Sequence, residues 1–197
     1  MENTPLGFLI LALLVANCLA LLLSRDWRWS LAALGAQYLL AFFLVSVYWP
    51  LELAAVKLVG GWMATAILGM SYLNMAEQPD ESAGFPRSRG FLGLAAGLVI
   101  IIVVGAAPAL AAWGRQFTGS EAWGGLLLIG LGVIQVGLGS RIFRIILGLL
   151  TLLAGFEILY ASVETSILVA GLLAIVNLGI SLIGSYLLLA PGMEPRS

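Results

Sequence analysis

The sequence predicts an all-α, polytopic transmembrane bundle of seven spans, and three observations carry that expectation. The first is composition. Of 197 residues, 61% are hydrophobic and only 10% are charged, against about 25% charged in an ordinary soluble domain. Mean hydropathy is +1.08. A core of this size cannot hide so much apolar side chain, so lipid must solvate part of the surface. The second observation is length: apolar runs near the roughly 20 residues needed to cross the hydrocarbon core recur seven times. The third is charge placement. With seven spans drawn, Arg25, Arg28, Arg87, Arg89, Arg141, Arg144 and Arg196 fall on one side and only Arg115 on the other. By the positive-inside rule the N-terminus is then outside and the C-terminus cytoplasmic.

The chain reads as one integral membrane domain, residues 1–197, and each span can be placed in order. The first runs from Pro5 to Leu23 and ends at the polar turn Arg25-Asp26-Trp27-Arg28. Its flank Met1-Glu2-Asn3-Thr4 lacks the basic start of a cleaved signal, so an uncleaved helix is expected. Val15-Ala16-Asn17-Cys18 has Asn17 where a lipoprotein cleavage box needs a small residue, and lipidation is not expected. The second span covers Ser30 to Tyr48 and stops at Trp49-Pro50. The third covers Leu51 to Leu73. A polar loop, Asn74 to Gly90, carries Glu77, Asp80, Glu81, Arg87 and Arg89 with Pro79 and Pro86. It has too little apolar surface to fold alone. The fourth span, Phe91 to Trp113, contains Pro108, which should kink it, and Gly93-x-x-x-Gly97, which permits close helix packing. The fifth, Trp123 to Gly139, is the shortest and is rich in glycine (Gly130, Gly132, Gly137, Gly139). The sixth and seventh run from Ile142 to Val163 and from Thr165 to Leu189. These runs are continuously apolar, without the period-two alternation of a membrane barrel. Trp49, Trp113 and Trp123 fall at outer ends and Trp27 and Trp29 at an inner end, where interfacial anchors belong.

An internal repeat is suggested by two turns. Ser24-Arg25-Asp26-Trp27-Arg28 joins the first two spans, and Ser140-Arg141-Ile142-Phe143-Arg144 joins the fifth and sixth. Both read Ser-Arg-x-aromatic-Arg with the same inferred orientation. Parallel three-helix halves separated by a single helix would follow, unless both turns merely show the habit of inner loops to place arginine beside an aromatic ring.

Several function classes are excluded. A net charge of −1 does not suit nucleic acid, whose phosphates need a basic surface. The absence of histidine removes the usual general base and the commonest metal ligand. A single cysteine leaves no intrachain disulfide or paired-thiol motif. No phosphate-binding loop, nucleophile elbow or zinc-protease motif occurs, so neither an enzyme site, a cofactor nor a metal is expected.

Ionisable groups inside spans then carry the functional argument, since each costs about 2.5–3.5 kcal/mol to insert. Two lie well inside: Lys57, six residues past the outer start of the third span, and Glu157, six residues before the outer end of the sixth. At 1.5 Å per residue both sit about 9 Å below the outer boundary. If their helices adjoin, they can form a buried ion pair. That pair serves a proton or cation relay, or else only holds two helices in register. Lys57 could instead snorkel to the surface; Glu157 is too short to do so. Asn17, Gln37, Gln135 and Asn177 each lie within a span. They are either interhelical hydrogen-bonding glue or the lining of a polar path. Glu52 and Glu164 lie near the outer surface, as solvated charges do.

At the sixth and seventh spans, Arg141-Ile-Phe-Arg144-Ile-Ile-Leu-Gly148 followed by Gly155-Phe156-Glu157-Ile158-Leu159 resembles the small K subunit of NADH–quinone oxidoreductase. The same stretch is similar to the C subunit of multisubunit sodium/proton antiporters. Over the longer chain, with Arg28, Gln37 and Lys57, the sequence resembles the hydrogenase-4 component E family. The resemblance implies a non-catalytic accessory subunit, in a plasma (inner) membrane, packed beside larger antiporter-like subunits. Glu157 would be its ion-pathway carboxylate, with Lys57 beside it. Where K subunits carry a second buried glutamate, the seventh span offers Asn177. Two alternatives stand: a stand-alone small-solute transporter made of two three-helix halves, and a purely structural membrane subunit.

Overall fold

A computed structural model describes residues 5–24, 26–47, 49–75, 89–113, 119–139, 141–163 and 165–190. Over these ranges the chain forms seven α-helices: α1 (Pro5–Leu23), α2 (Trp27–Val45), α3 (Leu51–Leu73), α4 (Arg89–Trp113), α5 (Gly119–Leu138), α6 (Ile142–Ala161) and α7 (Ile167–Leu189). Five of them, α2, α3, α4, α6 and α7, are long and apolar enough to cross a membrane. The apolar stretches of α1 and α5, Leu9–Leu23 and Ala122–Leu138, are shorter. The polar loop from 76 to 88 and the residues Arg25, Tyr48, Arg115, Ser140, Glu164 and Arg196 lie outside the described residues.

Helix ends depart from the expected spans where polar caps intervene. α2 begins at Trp27 instead of Ser30 because the Asp26 carboxylate accepts a 2.9 Å hydrogen bond from the Arg28 amide, an N-cap that satisfies one of the first free donors. It ends at Val45 instead of Tyr48: Ser46 is the C-cap, and its hydroxyl donates to the Phe43 carbonyl at 3.0 Å. α5 starts four residues earlier than Trp123, and α6 stops at Ala161, two residues short of Val163. α7 starts at Ile167 with Ser166 as its N-cap. α4 runs unbroken through Pro108.

The helices pack as two rows. One row is α3, α2, α1; the other is α7, α6, α5, α4. α3 lies on α7, α2 on α6 and α5, and α1 on α5 and α4. Apolar residues of both rows fill the space between, among them Leu34, Leu44, Leu131, Leu150 and Ile158. Many large apolar side chains also face outward, such as Leu94, Ile101, Leu168, Ile175 and Ile183. An outer surface of this kind, on helices of spanning length, belongs in lipid.

Glycine sets the closest approach. A Cβ on Gly132 would stand 2.6 Å from the Leu152 amide nitrogen, one on Gly155 2.7 Å from the Gly125 carbonyl, and one on Gly148 2.8 Å from the Gln135 Cβ. The α5 and α6 backbones therefore touch along their length, as only glycine allows. Gly93 and Gly97 do not act this way. A Cβ added at either would meet nothing within 4 Å, so the close packing that motif permits is absent among the described residues. α4 instead brings Val99 against Gly130.

Contacts between the two rows recur at one spacing. Gln37 meets Thr151, Ser71 meets Ser185 and Gly60 meets Ala174, in each case a residue 114 positions further along. The two arginine-bearing turns also touch: Arg144 donates to the carbonyl of Ser24. Arg28, Arg141 and Arg144 consequently share one end of the bundle.

Candidate functional site

Four helices, α2, α3, α7 and α6, form a square in section. Each packs on its two neighbours, while the diagonal partners make no close backbone approach among the described residues. The centre of this square is where polar side chains meet. Lys57 of α3 crosses one diagonal and its Nζ forms an ion pair with Glu157 Oε2 of α6. Tyr38 of α2 crosses the other, and its hydroxyl donates to Asn177 Oδ1 of α7 at 2.9 Å. The two diagonals are tied together where Asn177 Nδ2 donates to Glu157 Oε1 at 3.5 Å. All four residues are buried, Glu157 to 3% exposure and Lys57 to 7%.

The local sequence makes the crossing possible. Tyr38 can reach the centre because position 61 is glycine: a Cβ there would fall inside the Tyr38 ring. Gly60, the preceding residue, faces α7: a Cβ there would stand 3.9 Å from the Ala174 Cβ. Glu157 follows Gly155, which lets α5 press against α6 from behind. With α6 ending at Ala161, Glu157 lies four residues from its helix end and Lys57 six from its own. That is about 6 Å and 9 Å along the axes, a difference the flexible lysine stem absorbs.

Electrostatically the pair is self-compensating. A lone charge here would bear the full penalty of leaving water, and the opposite charge offsets it. Asn177 adds an amide donor to the second carboxylate oxygen. A cavity of about 10 Å³ adjoins the pair, lined by Trp49, Lys57, Glu157, Ala170, Leu173 and Asn177. One water needs roughly 10–15 Å³ measured this way, so the space is water-sized. Trp49 is buried against this cavity, which corrects its reading as an interfacial anchor. Trp29 does face outward, and Trp27 stacks on Tyr72 with ring centres 5.0 Å apart.

The other polar candidates separate. Gln37 is buried half a helix from the pair, and Thr151 Oγ1 donates to its Oε1 at 3.4 Å. Gln135 lies towards the arginine-bearing end, on a second cavity of about 30 Å³ lined by Leu21, Leu92, Leu138, Arg144 and Leu147. Asn17 belongs to neither group: its amide donates to the Ala33 carbonyl at 2.9 Å and straps α1 to α2. Tyr38, Thr151 and Gly61 were not among the sequence candidates. The available signal was Tyr38 itself, a phenol in the middle of an apolar run, whose hydroxyl needs a partner when buried. Among the described residues no group of three or more carboxylates or thiols is placed to hold a metal ion.

Scans against protein-family models, curated proteins and solved structures return no match to this chain. What fold and site define is therefore a class: a seven-helix bundle with helices of membrane-crossing length, centred on a buried, hydrogen-bonded ion pair.

Proposed function

We propose that the protein is a small accessory membrane subunit of an ion-translocating complex of respiratory, hydrogenase or antiporter type. In this reading all seven helices span a plasma membrane, with the N-terminus outside and the C-terminus in the cytoplasm. The observation that carries it is the Lys57–Glu157 pair. An ionisable pair inside a membrane bundle is costly, and such groups mark ion pathways by default. The pair is also switchable. Protonating Glu157 removes the negative partner of Lys57, and the ammonium then favours a negative charge elsewhere. A charge arriving from a neighbouring subunit would act on Glu157 in reverse. Asn177 donates to the carboxylate and is itself held by the Tyr38 hydroxyl, which keeps Glu157 oriented towards Lys57.

The resemblance to K, C and component E subunits agrees with this role and supplies the partner, a larger antiporter-like subunit. The water-sized cavity beside the pair favours a proton or small cation over an organic solute. That weighs against the stand-alone transporter.

Two measurements test the proposal. Isolation from native membranes in mild detergent should bring larger antiporter-like and redox subunits in fixed ratio; recovery of the chain alone would count against it. Glu157→Gln should abolish ion translocation in membrane vesicles while the complex still assembles. Full translocation in that variant would reduce the pair to architecture.

A further inference from the structure

A polar seam winds along α6 away from Glu157. Glu157 meets Lys57 of α3 and Asn177 of α7. Two turns back, Thr151 meets Gln37 of α2. Gly148 abuts Gln135 of α5. Arg144, at the far end, holds the Ser24 carbonyl. From Glu157 to Arg144 is 13 residues, about 20 Å at 1.5 Å per residue, or some two-thirds of the roughly 30 Å hydrocarbon core. Small residues line the intervals, Ala154 and Gly148 among them.

Two atoms on this seam have an unmet need. Gln37 Nε2 and Gln135 Nε2 are buried and have no hydrogen-bond partner among the described residues. Gln37 is 0% exposed and Gln135 6%. An unpaired buried amide donor costs about 1–3 kcal/mol, and buried water is the ordinary remedy where polar groups and space coincide. The space is present at both ends: about 30 Å³ beside Gln135 and Arg144, and about 10 Å³ beside Glu157.

We propose that a file of buried water enters at the Arg144 end, is held by the Gln135 and Gln37 amides, and gives Glu157 its proton from the arginine-bearing side. The inference rests on the ion-translocating reading above and adds the route and the ion. The orphaned groups are amide donors, which hold the oxygen of water. Hard cations such as sodium require oxygen ligands instead. A proton relayed between waters needs no such cage.

The test uses full-length protein in native membrane vesicles of both orientations, with Cys18→Ala removing the natural thiol. Silver ion, small enough for a water-sized passage, is added from one face to Gln135→Cys, Gln37→Cys and Leu68→Cys; unreacted thiol is then read with a maleimide after unfolding. Leu68 is fully buried on α3 at similar depth and off the seam. Silver from the arginine-bearing face should abolish labelling at 135, abolish it more slowly at 37, and spare 68. Equal protection at 135 and 68, or faster reaction from the opposite face, overturns the route. Gln37→Cys decides the matter alone if Gln135→Cys does not accumulate. Accessible 135 with full transport in Glu157→Gln would keep the water file and remove the ion-translocating role. Loss of transport in Glu157→Gln with an inaccessible 135 would do the opposite.

Discussion

Lys57 and Glu157 were conspicuous in the sequence because a charge within an apolar run is expensive wherever the helix goes. Their contact was not legible, because it depends on α3 and α6 standing at opposite corners of a square, a matter of topology and not of spacing. Tyr38 and Thr151 escaped notice for another reason: single hydroxyls in spanning helices are ordinary, and only their partners give them meaning. The pair makes a sharp energetic prediction. Lys57→Met strands Glu157 as an uncompensated buried carboxylate and should destabilise by about 3–5 kcal/mol. Adding Glu157→Leu to it should recover most of that loss, since two apolar side chains replace the pair at similar volume. Unfolding in detergent, read as a double-mutant cycle, measures both quantities. Equal losses in the single and double variants would show that packing, not charge, holds the corner.

Helix existence was plain from the apolar runs, whereas the ends were set by caps that composition does not weight, such as the Asp26 carboxylate on α2. Glycine was harder to read. Gly93 and Gly97 carry the familiar spacing, yet a Cβ at either would meet nothing within 4 Å, while Gly132, Gly148 and Gly155 make the α5–α6 contact at irregular intervals. The distinction lies in which face meets a neighbour, and spacing along one helix does not contain it. Gly155→Val should therefore force α5 from α6 and cost about 1–3 kcal/mol, the usual penalty of overpacking. Gly97→Val should leave the isolated protein's thermal stability nearly unchanged. Gly61→Ala belongs with the first group, with a further consequence: it displaces the Tyr38 ring and breaks its bond to Asn177, so on the proposed reading ion translocation should fall along with stability. An unaltered melting temperature in Gly155→Val would contradict the packing described here.

Across the whole molecule, composition sufficed for an all-helical bundle with helices of membrane-crossing length, and the arginines gave rise to an expected orientation with the N-terminus outside. The structure gathers Arg28, Arg141 and Arg144 at one end of the bundle. Reporter tags at the two termini should be reached from opposite faces of intact membranes, the C-terminal one from the cytoplasm. Reach from the same face would mean an even number of spans, and α1 and α5, with the shorter apolar stretches, would be the helices to re-examine.

The parallel stacking of the two rows bears on how such a protein could move. Residues 114 positions apart lie against each other in α2 and α6 and again in α3 and α7, which matches each position of one row with one of the other. Transporters that alternate between two faces commonly do so by letting matched halves trade conformations about a shared axis, each state being the other's twin. Here the twin of Lys57 is Gly171 and the twin of Glu157 is Phe43. An exchange of roles would carry the charges to positions that have none. On the proposed ion-translocating reading, the bundle would stay still while protons, and the side chains that hold them, do the moving.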